Sequence, residues 1–152
     1  MLIETTRFGR IEVDGDKLIT FKGGILGFPD LKKYALIQTS PDPVFFWLQS
    51  VESPSLAFVL CDPLAFVEDY NVPIKAEEVK ALDLSGLTDC QVFVIVNKVD
   101  GHLTANMQGP IVVGAKSRLA RQLVLSDKRF STRHRLMKLD ESGVSVPARR
   151  VG

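Results

Sequence analysis

The chain reads as an all-β, β-dominated fold: a small antiparallel barrel-like domain of short strands with one short helix near 76–83. Three observations predict this. Apolar and polar residues alternate with period two in many short stretches, turn-forming residues separate those stretches at frequent intervals, and only one segment has the composition of a helix. A doubly wound sheet would need strands alternating with long helices, and that pattern is missing.

Leu2–Thr5, Gly9–Val13 and Lys17–Phe21 alternate as three antiparallel strands, with Asp14-Gly15-Asp16 as a tight hairpin turn between the last two. Gly23, Gly24 and Gly27 punctuate an irregular connection. Phe28 to Tyr34 then reads as a single helical turn, with Pro29 at its start. Tyr34–Thr39 and Val44–Val51 are further strands, split by Ser40-Pro41-Asp42-Pro43, because prolines lack the donor a sheet ladder needs. Leu56–Cys61 follows, closed by Asp62-Pro63. Phe45, Phe46, Trp47, Phe58 and Phe66 concentrate aromatic mass here and point to much of the core.

Ala76-Glu77-Glu78-Val79-Lys80-Ala81-Leu82 carries good helix formers with acids in its first turn. Gln91–Val99 contains a nearly continuous β-branched run, which suits a strand buried on both faces. Asp100-Gly101-His102 turns into Leu103–Asn106, and Pro110–Ala115 and Arg121–Leu125 supply the last strands. A single domain over 1–140 is expected, with 141–152, rich in Ser, Gly, Pro and Arg, as a flexible C-terminal tail.

Composition limits function. With 45% hydrophobic and 24% charged residues the chain matches ordinary globular usage, and no stretch approaches the roughly 18 apolar residues of a membrane span. The opening Met1-Leu2-Ile3-Glu4 has no signal-peptide pattern, so a cytoplasmic location is expected. A net charge of +1 gives no global reason for nucleic-acid or membrane binding. Its distribution is uneven: acids dominate from Glu52 to Asp89, and Lys and Arg dominate from Lys116 to Arg135.

Each chemical motif has a plainer reading. Gly109 to Ser117 imitates a phosphate-binding loop but has the wrong register, and Pro-Ile-Val-Val favours an extended strand. Gly23 to Gly27 lacks dinucleotide-binding spacing. Cys90, His102 and Asp100 contain the residue types of an activated thiol, so a hydrolase or small-molecule-binding barrel using Cys90 and His102 stands as the rival reading. Cys61 and Cys90 have no CxxC partner and the two histidines are far apart, so no metal or other cofactor is expected. The basic segment has only Phe130 as a stacking aromatic, which argues against direct nucleic-acid binding.

Leu103-Thr104-Ala105-Asn106, Pro110-Ile111-Val112, Gln122-Leu123-Val124-Leu125 and Phe130-Ser131-Thr132-Arg133-His134 together resemble the C-terminal signature of the FliW family. Gly9–Val13, Ile19–Phe21 with Gly24–Phe28, Phe46–Val51, Leu56–Phe58 and Asp62-Pro63 are similar to the same family in the same order, so the resemblance spans roughly residues 1 to 136. Arg135 stands where that family usually has Pro, which changes the restriction on the preceding residue.

The resemblance implies a non-enzymatic assembly factor that binds flagellin. When free, it binds and antagonises CsrA, the RNA-binding carbon storage regulator, and so relieves repression of flagellin messenger RNA. It implies a protein that is monomeric when free and whose partners are proteins. Within it, Asn106, Ser131, Thr132, Arg133 and His134 suit either a partner surface or local backbone hydrogen bonding, with Arg133 the sharpest candidate for a partner contact. Glu68, Asp69, Glu77, Glu78 and Asp83 suggest an acidic face that repels RNA from a bound regulator.

Overall fold

The chain opens with a hairpin, β1 (Leu2–Thr5) and β2 (Gly9–Glu12), which forms its own two-stranded sheet. Thr5 organises the turn: its Oγ1 donates to Gly9 O and accepts from Phe8 N, both at 2.8 Å. The computed structural model describes residues 1–39, 41, 44–86 and 89–139, and the backbone of 145 and 146.

The third expected strand does not join this hairpin. Asp14 accepts from Asp16 N and caps a 3-10 turn over Gly15–Lys17, so the chain leaves the hairpin instead of folding back on it. β3 (Ile19–Phe21) therefore enters a second sheet, beside β4 (Lys33–Ile37). The helical turn expected at Phe28 to Tyr34 is also absent. Ile25 and Phe28 instead form a β-bridge around Leu26-Gly27, with Gly27 at φ +92. That positive φ suits glycine and fixes a tight reversal, so Pro29 follows a turn and not a helix.

β4, β5 (Phe45–Ser50), β6 (Ala57–Cys61) and β7 (Cys90–Val99) run antiparallel in order. The other edge of β7 is shared by two strands. β8 (His102–Ala105) takes its second half, and β9 (Ile111–Gly114) takes Cys90 to Phe93. β10 (Leu119–Gln122) pairs with β9 and, in parallel, with β3. The order β3-β4-β5-β6-β7-β9-β10 returns to β3, which closes a seven-stranded barrel. The β3–β10 contact joins strands nearly a hundred residues apart.

Outside the ring, β11 (His134–Leu139) pairs with β8. No strand is expected there from the sequence. A β-bulge between Arg135 and Met137 explains why: Leu136 and Met137 are both buried, so the period-two alternation is interrupted. Arg135, which stands where the family usually has Pro, is exposed and faces Thr104 in this ladder. Of the tail, Ser145–Val146 form β12 against Lys138 and Leu139, and the remainder of 141–152 lies outside the described residues.

Three apolar clusters follow from strand alternation. Phe21, Tyr34, Leu48, Leu60, Phe93 and Ile111 fill the barrel. On the outside, Cys61, Tyr70, Val94, Met107 and Leu136 pack under the 62–74 segment, and Val112 with Leu82, Leu84 and Leu123 packs beneath α1 (Ala76–Ala81). Trp47 lies outside the ring, edge-on to Phe8 at 5.8 Å, with the Arg7 guanidinium 4.2 Å over its ring.

Candidate interaction site

The signature segment contains a break in the ladder. Five residues, Asn106 to Pro110, stand opposite only Val94 and Ile95 on β7, because β8 ends at Ala105 and β9 starts at Ile111. Such an insertion exposes backbone groups that must be satisfied locally. Asn106 does part of this: its N donates to Ile95 O, and its Oδ1 accepts from Gln108 N at 3.1 Å. Gln122 does another part, with Nε2 donating to Gly109 O and Oε1 accepting from Leu26 N at 3.0 Å. A Cβ on Gly109 would lie 2.7 Å from Asn106 Nδ2 and 3.0 Å from Gln122 Nε2, so any larger residue would have to push these side-chain amides aside.

Met107, fully buried, sits at the centre of this clasp. Its N donates to Ser131 O at 2.9 Å, and its carbonyl accepts from the Tyr70 hydroxyl at 2.6 Å. Ser131 also caps its own turn, accepting from Arg133 N at 2.9 Å through Oγ. Tyr70 stacks edge-on to Phe130 at 4.8 Å. Asn106 and Ser131 thus fasten the fold.

The outer residues of the same turn differ. Thr132 and Arg133 are exposed and His134, opening β11, is half-buried. Arg133 makes no side-chain hydrogen bond or ion pair among the described residues, whereas Arg129 is committed to Asp127 at 2.7 Å and lies over Phe130. The Asp127 carboxylate, hydrogen-bonded by Arg129, is held below its ordinary range, and Asp69 adds to the field at Arg129.

Tyr70 links the clasp to the acidic segment. Residues 62–74 form a wall on the barrel's outside. Asp62 Oδ1 accepts from Leu64 N at 3.0 Å and caps the 3-10 turn Pro63–Ala65, and Phe66 packs on Phe45. Glu68 and Asp69 are exposed just before Tyr70, and Glu77 and Asp83 are exposed at either end of α1. Glu78 departs from the expected face. It is only 7% exposed, and its Oε2 has no hydrogen-bond partner among the described residues, because the helix turns this position toward the protein.

The rival chemistry is not assembled. Cys90 begins β7 and His102 pairs with Val99 at its far end, which puts them roughly 30 Å apart for nine extended residues. Cys90 is half-buried, and burial followed by the Asp89 charge pushes its thiol up. Cys61 is fully buried, its thiol pushed up to about 12 by burial and then by Asp62. Ile111 to Gly114 of the phosphate-loop look-alike are a wholly buried strand. Among the described residues no cluster of three or more His, Cys, Asp or Glu could hold a metal, and no helix is long and apolar enough to cross a membrane.

The chain matches known proteins along most of its length. A family model described as FliW protein matches residues 2–136. The flagellar assembly factor FliW of Bdellovibrio bacteriovorus is 37% identical over 151 residues, covering 97% of this chain and 86% of the relative. That of Geobacter sulfurreducens is 39% identical over 136 residues, covering 88% and 85%. A crystal structure of the flagellar assembly factor FliW superimposes with a TM-score of 0.81 at 33% identity, covering 89% of this chain and 96% of that one. With a family model matching residues 2–136 and a barrel that superimposes on a solved member, the chain belongs to the FliW protein family.

Proposed function

We propose that this chain is a cytoplasmic flagellar assembly factor that works by binding proteins, without a catalytic step. In this reading it binds flagellin, and the free form binds CsrA and relieves repression of flagellin messenger RNA. Export of flagellin then raises the free pool, which makes the chain a partner-switching sensor. The observation that carries the reading is the family match across residues 2–136, together with relatives named flagellar assembly factors.

Two local features support a protein-binding role. Arg133 projects an uncommitted guanidinium from a turn whose backbone is held by Ser131, so a carboxylate partner would meet a preorganised donor pair. Glu68, Asp69, Glu77 and Asp83 supply exposed negative charge that would oppose phosphates near a bound RNA regulator. The separation of Cys90 from His102 leaves the hydrolase reading without a site.

The test is a pull-down from the native cytosol with mass identification. Recovery of flagellin and CsrA, each displacing the other, is the expected result. Recovery of neither overturns the reading.

A further inference from the structure

β7 loses its neighbour partway along one edge. β6 sets Val59, Leu60 and Cys61 opposite Val96, Ile95 and Val94, so the next hydrogen-bonded position would bring Pro63 to Val92. Proline has no N–H to give, and the Pro63 carbonyl is taken by Phe66 N and Val67 N in the turn that follows. The chain therefore leaves the sheet. Among the described residues no other strand takes its place beside Val92.

The ladder fixes which way Val92 points. Asp89 O accepts from Ala115 N and Ile95 O from Asn106 N, so the odd-numbered residues of β7 turn their backbone groups toward β8 and β9. The even-numbered ones face β6. Val94 and Val96 find partners there, whereas the N–H and C=O of Val92 have none among the described residues.

A groove of about 690 Å³ lies over this gap. Leu36, Phe46 and Phe93 border it from the barrel's inner face, Val72 and Ile74 from the outer wall, and Leu64 is 55% exposed at its rim. A strand in this position would be buried on both faces, which suits a continuous apolar run. The lining selects no charge. Asp62 is its one charged residue among those described, and its carboxylate already accepts from Leu64 N, while Lys75 follows Ile74 just outside.

We propose that the gap beside Val92 receives an extended, uncharged, apolar segment of a protein partner, which takes the strand position that Pro63 gives up. The inference rests on the reading that the chain acts by binding proteins, and it adds a place and a chemistry to that binding. An unpaired N–H and C=O select an extended main chain, whose own groups recur at the ladder spacing, over a helix, which spends its groups internally. Tyr70, bonded to Met107, ties the outer wall to the barrel, so binding requires little ordering of the receptor.

The probe is a fluorescein-labelled, amide-capped peptide of about nine residues, with a Thr-Val-Leu-Val-Thr centre between Gly-Ser ends. Amide hydrogen exchange on the full chain reads the gap directly. In the free chain Val92 should exchange about tenfold or more faster than Gln91 and Phe93, whose N–H groups face β9, and saturating peptide should slow it about tenfold or more. Fluorescence anisotropy should show binding about tenfold weaker when the three central amides are N-methylated, when Lys or Glu replaces the central Leu, and when the exposed rim is changed by Leu64→Asp. Val92 protected in the free chain, peptide binding that leaves its exchange unchanged, equal binding of the charged peptides, or binding indifferent to N-methylation or to Leu64→Asp would each overturn the proposal. If Leu64→Asp protein still captures flagellin and CsrA undiminished, the gap fails as a partner site while the protein-binding reading stands. Peptide that protects Val92 with neither protein captured gives the reverse.

Discussion

The Tyr70 hydroxyl donates to the Met107 carbonyl at 2.6 Å, and through this bond the acidic 62–74 wall is tied to the irregular turn of the signature segment. Met107 N donates in turn to Ser131 O, so three segments far apart in sequence meet at one buried residue.

Replacing Tyr70 with Phe keeps the ring on Phe130 but leaves the Met107 carbonyl buried and without its donor. Loss of about 1–3 kcal/mol is expected. Urea unfolding measures it, and Tyr70→Phe melting like the parent would show that the bond contributes little.

Gly109→Ala forces a methyl against Asn106 Nδ2 and Gln122 Nε2, at 2.7 and 3.0 Å. Asn106 Oδ1 accepts from Gln108 N and Gln122 Nε2 donates to Gly109 O, so moving either side chain aside strains one of these bonds. A cost on the order of 1–3 kcal/mol is expected in thermal or urea unfolding. A neutral Gly109→Ala would mean that the clasp relaxes freely.

Stability should fall on the alkaline side. Burial raises Cys61 from 9.0 to about 12 and Tyr34 from 10.0 to about 12, and the Tyr34 hydroxyl lacks a hydrogen-bond partner among the described residues. The unfolded chain releases these protons first, so it binds fewer protons than the folded one and stability declines as pH rises from 9 toward 12. Below about pH 8 neither group contributes an appreciable slope. Urea midpoints measured against pH should show the decline, and Cys61→Ala should flatten its onset.

Arg133→Ala should leave the melting temperature within about 1 °C, since the side chain is exposed and makes no bond among the described residues. Its affinity for at least one of the proposed partners should drop about tenfold or more, as loss of a charge-assisted bidentate pair requires. Calorimetry with both purified partners checks this, and unchanged affinities for both would remove Arg133 from the interface.

Neutralising Glu68, Asp69, Glu77 and Asp83 together as Gln and Asn should weaken the proposed antagonism of RNA binding by CsrA at low salt, and the difference should shrink as salt rises. Glu78 is left out because it is buried. Antagonism that is unaltered at low salt in a gel-shift assay would rule out phosphate repulsion.

How much of this was legible beforehand depended on range. Period-two alternation located the strands from Lys33 to Val99 to within a residue or two, and the helix near 76–83 appears as Ala76–Ala81. Local chemistry misled where a distant partner decided the outcome. Asp14-Gly15-Asp16 has hairpin composition, yet β3 is drawn to β4 and β10 because Ile19 and Phe21 bury themselves in the barrel. β11 was hidden by its bulge, which places two apolar residues in succession and spoils the alternation.

By itself the sequence determined the class, the family and the polar signature of Asn106 and Ser131 to His134, because alternation, turn chemistry and ordered motifs are local properties. Only the tertiary structure divided that segment into Asn106 and Ser131, which hold backbone, and Arg133, which faces solvent. It alone moved Glu78 off the acidic face and set Cys90 and His102 at opposite ends of β7. The physical reason is that burial and hydrogen-bond partners are set by barrel closure between β3 and β10, a pairing across about a hundred residues that no local pattern encodes.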